Sequence, residues 1–403
     1  MNREDSAVSV RPPEVQAEQK TAEDSSSALR KGSVDIVFLL ITSALVLFGC
    51  VMVYSASSVF AEQHHDTTTY FITRHLIFLL MAVAFTAVIV RFCTPAFWRD
   101  FSYPIFALAI LMLLAVLVVG SDLGSGAKRW LDLKIFTIQP SEIAKLALVL
   151  IMARFMTDHQ KKVLSEYRFG GSFKYGVLFP GLMIGTLGIL IAAERHISGL
   201  MIVGMIGMSM MFLGGTRLRW LVAIAGVIGC AGCLLVLVSD YAQARVETWL
   251  FIEQADPLGE AWQTLQGLMA IGSGGLFGVG LGNSRQKFGY VSQPQNDFIF
   301  TIVCEELGFI GAALVVGLFI AFVWRGFRIA KHAPDRCSSL IVYGLVFKVA
   351  LQTILNLAVV TNSMPNTGIA LPFFSYGGTS LMLQIFEVGI ILSISRYCTH
   401  EKI

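Results

Sequence analysis

The residues able to do chemistry fall in a few short runs. Residues 124–132 read GSGAKRWLD and set Lys128 and Arg129 beside Trp130. Two cations next to an indole can clamp a phosphate or pyrophosphate while the ring offers a platform to a sugar or lipid. The same trio also serves as an interfacial anchor, because Trp and Lys collect where a membrane meets water. Residues 139–145 read QPSEIAK. Pro140 and Ser141 begin a helix with Ser141 as its cap, and Glu142 and Lys145, three apart, pair on one face. Glu194, Arg195 and His196 form a turn of ionisable groups, either a cavity wall or a wet hairpin. Asp297 lies in the run VSQPQNDFIF at 291–300. A carboxylate there can be a general base, a metal ligand or a helix cap, and capping is the ordinary use, worth about 1 kcal/mol. Glu305 and Glu306 are adjacent and so face different sides of a helix; at least one is expected to bond a neighbouring helix. Lys348, Gln352 and Asn356 recur every four residues as a polar stripe, and Glu387 is a further carboxylate in an apolar run. Residues 371–380 read LPFFSYGGTS. Their glycines allow close backbone approach, and hydroxyls such as Ser375 can cap a helix or touch a polar ligand.

The elements that must position these groups are membrane helices. Of 403 residues, 55% are hydrophobic and 14% charged, against roughly 25% charged in soluble proteins, and mean hydropathy is +0.69. A soluble, disordered or disulfide-framed chain does not have this composition, and a net charge of +3 gives no case for nucleic acid. Residues 1–33 lack apolar periodicity and read as a disordered cytoplasmic tail with no signal peptide. The remainder, 34–398, reads as one all-α domain of ten transmembrane helices, near 35–54, 74–92, 101–120, 141–157, 175–193, 198–213, 220–239, 298–324, 338–360 and 378–395. With both termini inside, twenty of the 30 basic residues lie on the cytoplasmic side and eight on the outer side; Lys145 and Lys348 lie within spans. Residues 264–282 are apolar but hold seven glycines, each costing a helix interior about 1 kcal/mol. Counting them as a span would also push Arg325, Arg328, Lys331 and Arg336 outside. They read instead as a re-entrant or interfacial part of a long outer loop, 241–296, folded back onto the bundle. The Cys230/Cys233 pair sits in lipid-like surroundings and reads as two small apolar residues.

The clusters at 124–132, 194–196, 284–297 and 361–380 therefore converge on the outer face. The pattern describes one extracytoplasmic site, cationic at Lys128, Arg129, Arg285 and Lys287, with Asp297 as its acidic element. Its substrate is expected to be anionic and lipid-borne.

Six motifs, in order, resemble the SEDS family (shape, elongation, division and sporulation): GAKRWLDL at 126–133, QPSEIAK, ERHISG at 194–199, GSGGLFGVGLGNSRQK at 272–287, PQNDFIF with EELG at 294–308, and LPFFSYGGTS. The glycine-rich stretch looks like the division and sporulation branch (FtsW/SpoVE) more than the elongation branch (RodA). The resemblance implies a peptidoglycan glycosyltransferase at the outer face of the bacterial cytoplasmic membrane, at the septum, polymerising lipid II, a disaccharide-pentapeptide on undecaprenyl pyrophosphate. It makes Asp297 the general base, in place of the cap. Lys128 and Arg129, with a divalent Mg²⁺ or Mn²⁺ and no organic cofactor, would meet the pyrophosphate, and Trp130 would shape the cavity. Arg195, His196, Arg285, Lys287 and Ser375 are further candidates for substrate contact; Glu142, Lys145 and Glu306 are structural polar groups. The implied partners are a class B penicillin-binding transpeptidase and other division proteins. Two departures stand out: the region before Asp297 reads Ser292-Gln293-Pro294-Gln295-Asn296 where the family often has Pro-Glu, and Glu247-Thr248-Trp249 stands where a second basic residue is common. Lys348 has no counterpart in this reading. The alternatives are a lipid II flippase, which needs polar groups through the membrane depth, an elongation-type polymerase, and a scaffold that only recruits the transpeptidase.

Overall fold

The structure is a computed structural model describing residues 32–121, 128–133, 137–165, 171–238, 240–252, 254 and 261–398. The tail up to residue 31, the Gly124–Ala127 part of the first cluster and Lys134 lie outside the described residues.

Among the described residues the regular structure is helical apart from one tiny hairpin. Helix α1 (Ile36–His65) starts where the Asp35 carboxylate accepts the Phe38 N–H at 2.8 Å. The sequence pattern ends this span near residue 54, but the helix continues for three more turns into the polar AEQHH stretch. Then come α2 (Tyr70–Phe92), the short α3 (Pro95–Asp100) and α4 (Ser102–Val119). Strands β1 (Leu131–Asp132) and β2 (Thr137–Ile138) pair antiparallel, Leu131 opposite Ile138 and Asp132 opposite Thr137. They lead into α5 (Pro140–Asp158), α6 (Phe179–Ala193, entered through a π turn at Lys174–Leu178), α7 (Ile197–Leu213) and α8 (Leu218–Val238). Between α8 and the last three helices lie α9 (Asp240–Leu250) and α10 (Trp262–Gly274). The last three helices are α11 (Ile299–Lys331), α12 (Arg336–Val360) and α13 (Gly378–Ser395).

Among the described residues seven helices are long and apolar enough to cross a membrane: α1, α2, α4, α6 with its lead-in, α11, α12 and α13. Helix α7 and the described start of α8 are apolar but shorter. Helix α5 carries Glu142, Lys145, Arg154 and Asp158, which lower its hydropathy, yet it lies deepest, with nearly every residue from Ala144 to Ala153 buried. It packs on α4, α7 and α12, while α13 packs on α2. Helices α2 and α4 turn Leu80, Phe85, Phe92, Leu111 and Val118 outward. An apolar exterior of this extent has lipid as its solvent.

One sequence expectation is corrected at α5. Its cap position is Gln139, which makes no side-chain cap bond; Pro140 occupies the first turn, and the buried Ser141 hydroxyl has no partner among the described residues. Proline can start a helix unaided because its missing N–H would be unpaired there anyway.

Candidate functional site

Asp297 lies at the entry to α11 but does not cap it. The cap position is Phe298, with no side-chain cap bond. Among the described residues no side chain of another residue bonds the Asp297 carboxylate, so its oxygens remain available for chemistry. Burial pushes its pKa above the ordinary carboxylate value, offset in part by its own backbone N–H.

Two bonds hold the Asp297 loop from behind, and a third ties the neighbouring segment to the same clamp. Asn356 on α12 sends its amide N–H groups to two carbonyls, Asp297 O and Ile369 O, each at 2.7 Å. Tyr376 N–H donates to Gln295 O at 2.8 Å. The 361–371 segment thus runs alongside the Asp297 loop, and a Cβ placed on Gly368 would sit 3.6 Å from Asp297 Oδ2. The Ser198 hydroxyl at the start of α7 donates to Thr367 O, joining the 194–198 turn to the same segment.

That turn carries the second part of the site. Arg129 donates to Arg195 O at 2.7 Å, which joins the first cluster to the third. Arg195 adopts φ 55°, the left-handed conformation of a tight turn. Glu194 is 2% exposed, and neither carboxylate oxygen has a hydrogen-bond partner among the described residues. Burial raises its pKa to about 8, against the pull of nearby Arg129. Burial, then Lys145 and Arg129, lower His196 to about 4, so the ring is neutral at neutral pH. Lys128 is exposed and Trp130 half-buried beside them.

Beneath this turn lies a buried ion quartet. Lys145 pairs with Glu142 at 2.5 Å, Lys348 with Glu387 at 2.5 Å, and Lys348 reaches Glu142 at 3.7 Å. The residue with no counterpart in the sequence reading, Lys348, is the link between α5 and α13.

The fourth cluster is used differently. Lys287 is buried, pairs with Glu306 at 3.2 Å and donates to Gly282 O at 2.6 Å. Glu306 also takes the Ser55 hydroxyl of α1 at 2.6 Å and the Ser284 N–H at 3.3 Å. Glu305 takes the Ser284 hydroxyl at 2.5 Å and the Arg285 N–H at 2.9 Å. The two carboxylates thus fasten one glycine-rich loop to α11, with Glu306 also tied to a neighbouring helix. The structure spends Lys287 on this loop and leaves Arg285 exposed. The Ser375 hydroxyl accepts the Leu371 N–H at 2.7 Å and closes its own turn. Among the described residues no three His, Cys, Asp or Glu side chains converge as a metal cluster.

Asp297, Arg129, Arg195, His196, Glu142 and Lys145 are therefore brought into one region, while Lys287, Glu306 and Ser375 hold the scaffold around it. The sequence reading named Glu194 only as one member of a turn of ionisable groups, and it did not foresee the Asn356 clamp. Asn356 was visible as part of the α12 stripe, but nothing in the spacing showed what it would hold.

The profile of the FtsW/RodA/SpoVE family, described as cell cycle proteins, matches residues 35–400. The chain belongs to this family. It is 40% identical over 372 residues to stage V sporulation protein E of Bacillus subtilis, covering 91% of this chain and 98% of that one. It is 38% identical over 367 residues to the probable peptidoglycan glycosyltransferase FtsW of Trichlorobacter lovleyi, covering 91% and 94%. Its fold matches a chain from a solved peptidoglycan synthase complex, described as coordinating polymerization and crosslinking, with TM-score 0.73, 26% identity and coverage of 90% and 98%. The multi-pass membrane architecture is thus that of the family.

Proposed function

We propose that this protein is a peptidoglycan glycosyltransferase of the FtsW/SpoVE type, acting in division or sporulation. The observation that carries the reading is the Asp297 carboxylate: half-buried, uncommitted to a cap, and held by a loop that Asn356 pins to α12. In this reading ten helices span the membrane, α1, α2, α4 to α8 and α11 to α13, with both ends cytoplasmic and the site on the outer side at the septum.

The substrate is lipid II. Asp297 accepts the proton of the acceptor sugar hydroxyl as that oxygen attacks the donor's anomeric carbon. The bond from that carbon to the lipid pyrophosphate breaks, and the pyrophosphate leaves as an anion. A raised carboxylate pKa suits a base, because proton transfer is most effective when the pKa approaches the working pH. Arg129, fixed on the Arg195 carbonyl, and the exposed Lys128 offer charge to the leaving group. Mg²⁺ or Mn²⁺ would be held by Asp297 together with phosphate oxygens of the substrate, and would neutralise pyrophosphate charge. A class B penicillin-binding transpeptidase crosslinks the strand, a partnership supported by the fold's match to a synthase complex. Transport is less favoured, because the membrane-depth charges Glu142, Lys145, Lys348 and Glu387 neutralise one another.

The test is polymerisation of lipid II by the purified protein with its transpeptidase. Asp297→Asn keeps the shape and loses the base; its rate is expected to fall by about 10²–10⁴-fold with melting behaviour unchanged. Equal rates would move the base elsewhere in the cavity.

A further inference from the structure

We infer that the outer loop holds a second carbohydrate site, for a neutral acetamido sugar ring of the glycan strand, in the cavity between α9, α10 and the 361–366 segment. The inference rests on the glycosyltransferase reading and adds a place for a ring that is not reacting.

The cavity has a volume of ≈ 230 Å³ and is lined by Arg245, Thr248, Trp249, Ile252, Thr264, Asn362 and Asn366. That is below the few hundred cubic ångströms of drug-sized ligand pockets, a size for one ring and not for a whole lipid-linked disaccharide-peptide. Among the described residues its lining is an indole, an isoleucine side chain, two hydroxyls, two carboxamides and one guanidinium, with no carboxylate. An indole offers an apolar face to the C–H side of a sugar. The hydroxyls and amides match ring hydroxyls and an acetamido group. The guanidinium is already applied to backbone, Arg245 donating to Asn366 O at 3.1 Å.

The platform is fixed in advance. Trp249 Nε1 donates to Asn362 O at 2.9 Å, and Asn366 Nδ2 donates to Gln263 Oε1 at 3.4 Å. Gln263 in turn donates to Ser292 O, in the run that ends at Asp297. A site whose groups are already held loses less order on binding.

The cavity also adjoins the base. Asn366 Oδ1 accepts the Gly368 N–H at 3.2 Å, and a Cβ on Gly368 would lie 3.6 Å from Asp297 Oδ2. Two residues of chain reach at most about 7 Å, so a wall of the cavity stands within about that distance of the residue lining Asp297. Adjacent rings of one strand can occupy both places. Arg129 is bonded to the 194–196 turn, so the pyrophosphate and the neutral ring are sorted to different walls.

The test titrates purified protein with a soluble neutral oligosaccharide of β-1,4-linked N-acetylhexosamines and follows tryptophan fluorescence. Thr248→Phe fills the cavity from the surface of α9, and Thr264→Val removes one hydroxyl at constant shape. Wild type is expected to show saturable binding that each variant weakens at least tenfold. Asp297→Asn should bind as wild type does. The two variants should also yield shorter strands from lipid II while the first glycosidic bond forms at the wild-type rate. Competition by lipid II against the oligosaccharide identifies a lipid-linked ring as occupant; failure to compete identifies the free strand. Absence of saturable binding, or wild-type affinity in Thr248→Phe, overturns the inference. So does a Thr248→Phe variant that loses only its transpeptidase, because the cavity is then a protein contact. Oligosaccharide binding by a protein that makes no glycan would sink the glycosyltransferase reading and leave the carbohydrate site standing.

Discussion

Glu194 stands out because it is buried with both oxygens unbonded among the described residues, and its pKa is raised to about 8. In the unfolded chain it titrates near 4.5. Between those two values the folded protein holds a proton that the unfolded chain has released. Stability contributed by the neutral carboxyl is full below about pH 4.5 and declines as pH rises toward about 8. Glu194→Gln keeps the shape and removes the titration. It is expected to raise the melting temperature at pH 7–8 and to flatten its dependence on pH in that window, as thermal unfolding in detergent would show. An unchanged pH slope would mean that Glu194 is ionised and paired in the folded state. Asp297 gives a kinetic counterpart. A base works deprotonated, so the polymerisation rate should rise through an acid limb above the usual carboxylate range near pH 4, as a pH–rate profile would measure. Asp297 was legible in the sequence because an acid before an apolar run has few uses, and the family resemblance chose among them. The isolation of Glu194 was not legible, because it depends on which distant residues close over the 194–196 turn.

Among the elements, the glycine-rich segment after α10 shows what those glycines do. Gly278 has φ +79°, and a Cβ there would meet Glu306 O at 2.2 Å. Gly308 breaks the helical path of α11 at φ +65°, and a Cβ there would meet Gly278 N at 2.4 Å. Two backbones therefore lie in direct contact, and Val279 and Gly280 donate to the carbonyls of Glu305 and Glu306. The carboxylates of the same two residues bond Ser284 and the Arg285 N–H further along. Gly278→Ala meets backbone on one side and a left-handed φ on the other. It should loosen the loop by a few kcal/mol, read as faster amide exchange across 278–287. Exchange at the wild-type rate would show that the contact is not tight. The sequence exposed this segment as unfit for a spanning helix, since glycine count and charge balance both argue against one. It did not reveal that two neighbouring glutamates would grip one loop, because adjacency on an ideal helix points them apart. The grip arises where the loop wraps around the break at Gly308.

For the whole molecule, the question is what holds three central helices in register beneath the site. Helices α5, α12 and α13 carry Glu142 with Lys145, Lys348 and Glu387, which form one connected set. The sequence placed each of these in an apolar run but could not join them, since Lys348 and Glu387 are 39 residues apart and no periodicity links two helices. A buried pair adds little net stability over a well-packed apolar one, whereas removing a single partner strands a charge at a cost of about 3–5 kcal/mol. Lys348→Met leaves Glu387 without its cation and should melt well below wild type. Lys348→Met combined with Glu387→Leu removes both charges and should recover most of that loss, because Lys145 still neutralises Glu142. The same double variant separates scaffold from transport. If the quartet only fixes helix register, a refolded double variant polymerises lipid II near the wild-type rate. If the charges carried a substrate across the bundle, the recovered protein would be stable and inactive. A double variant no more stable than Lys348→Met would instead mean that Glu387 is held by groups other than Lys348.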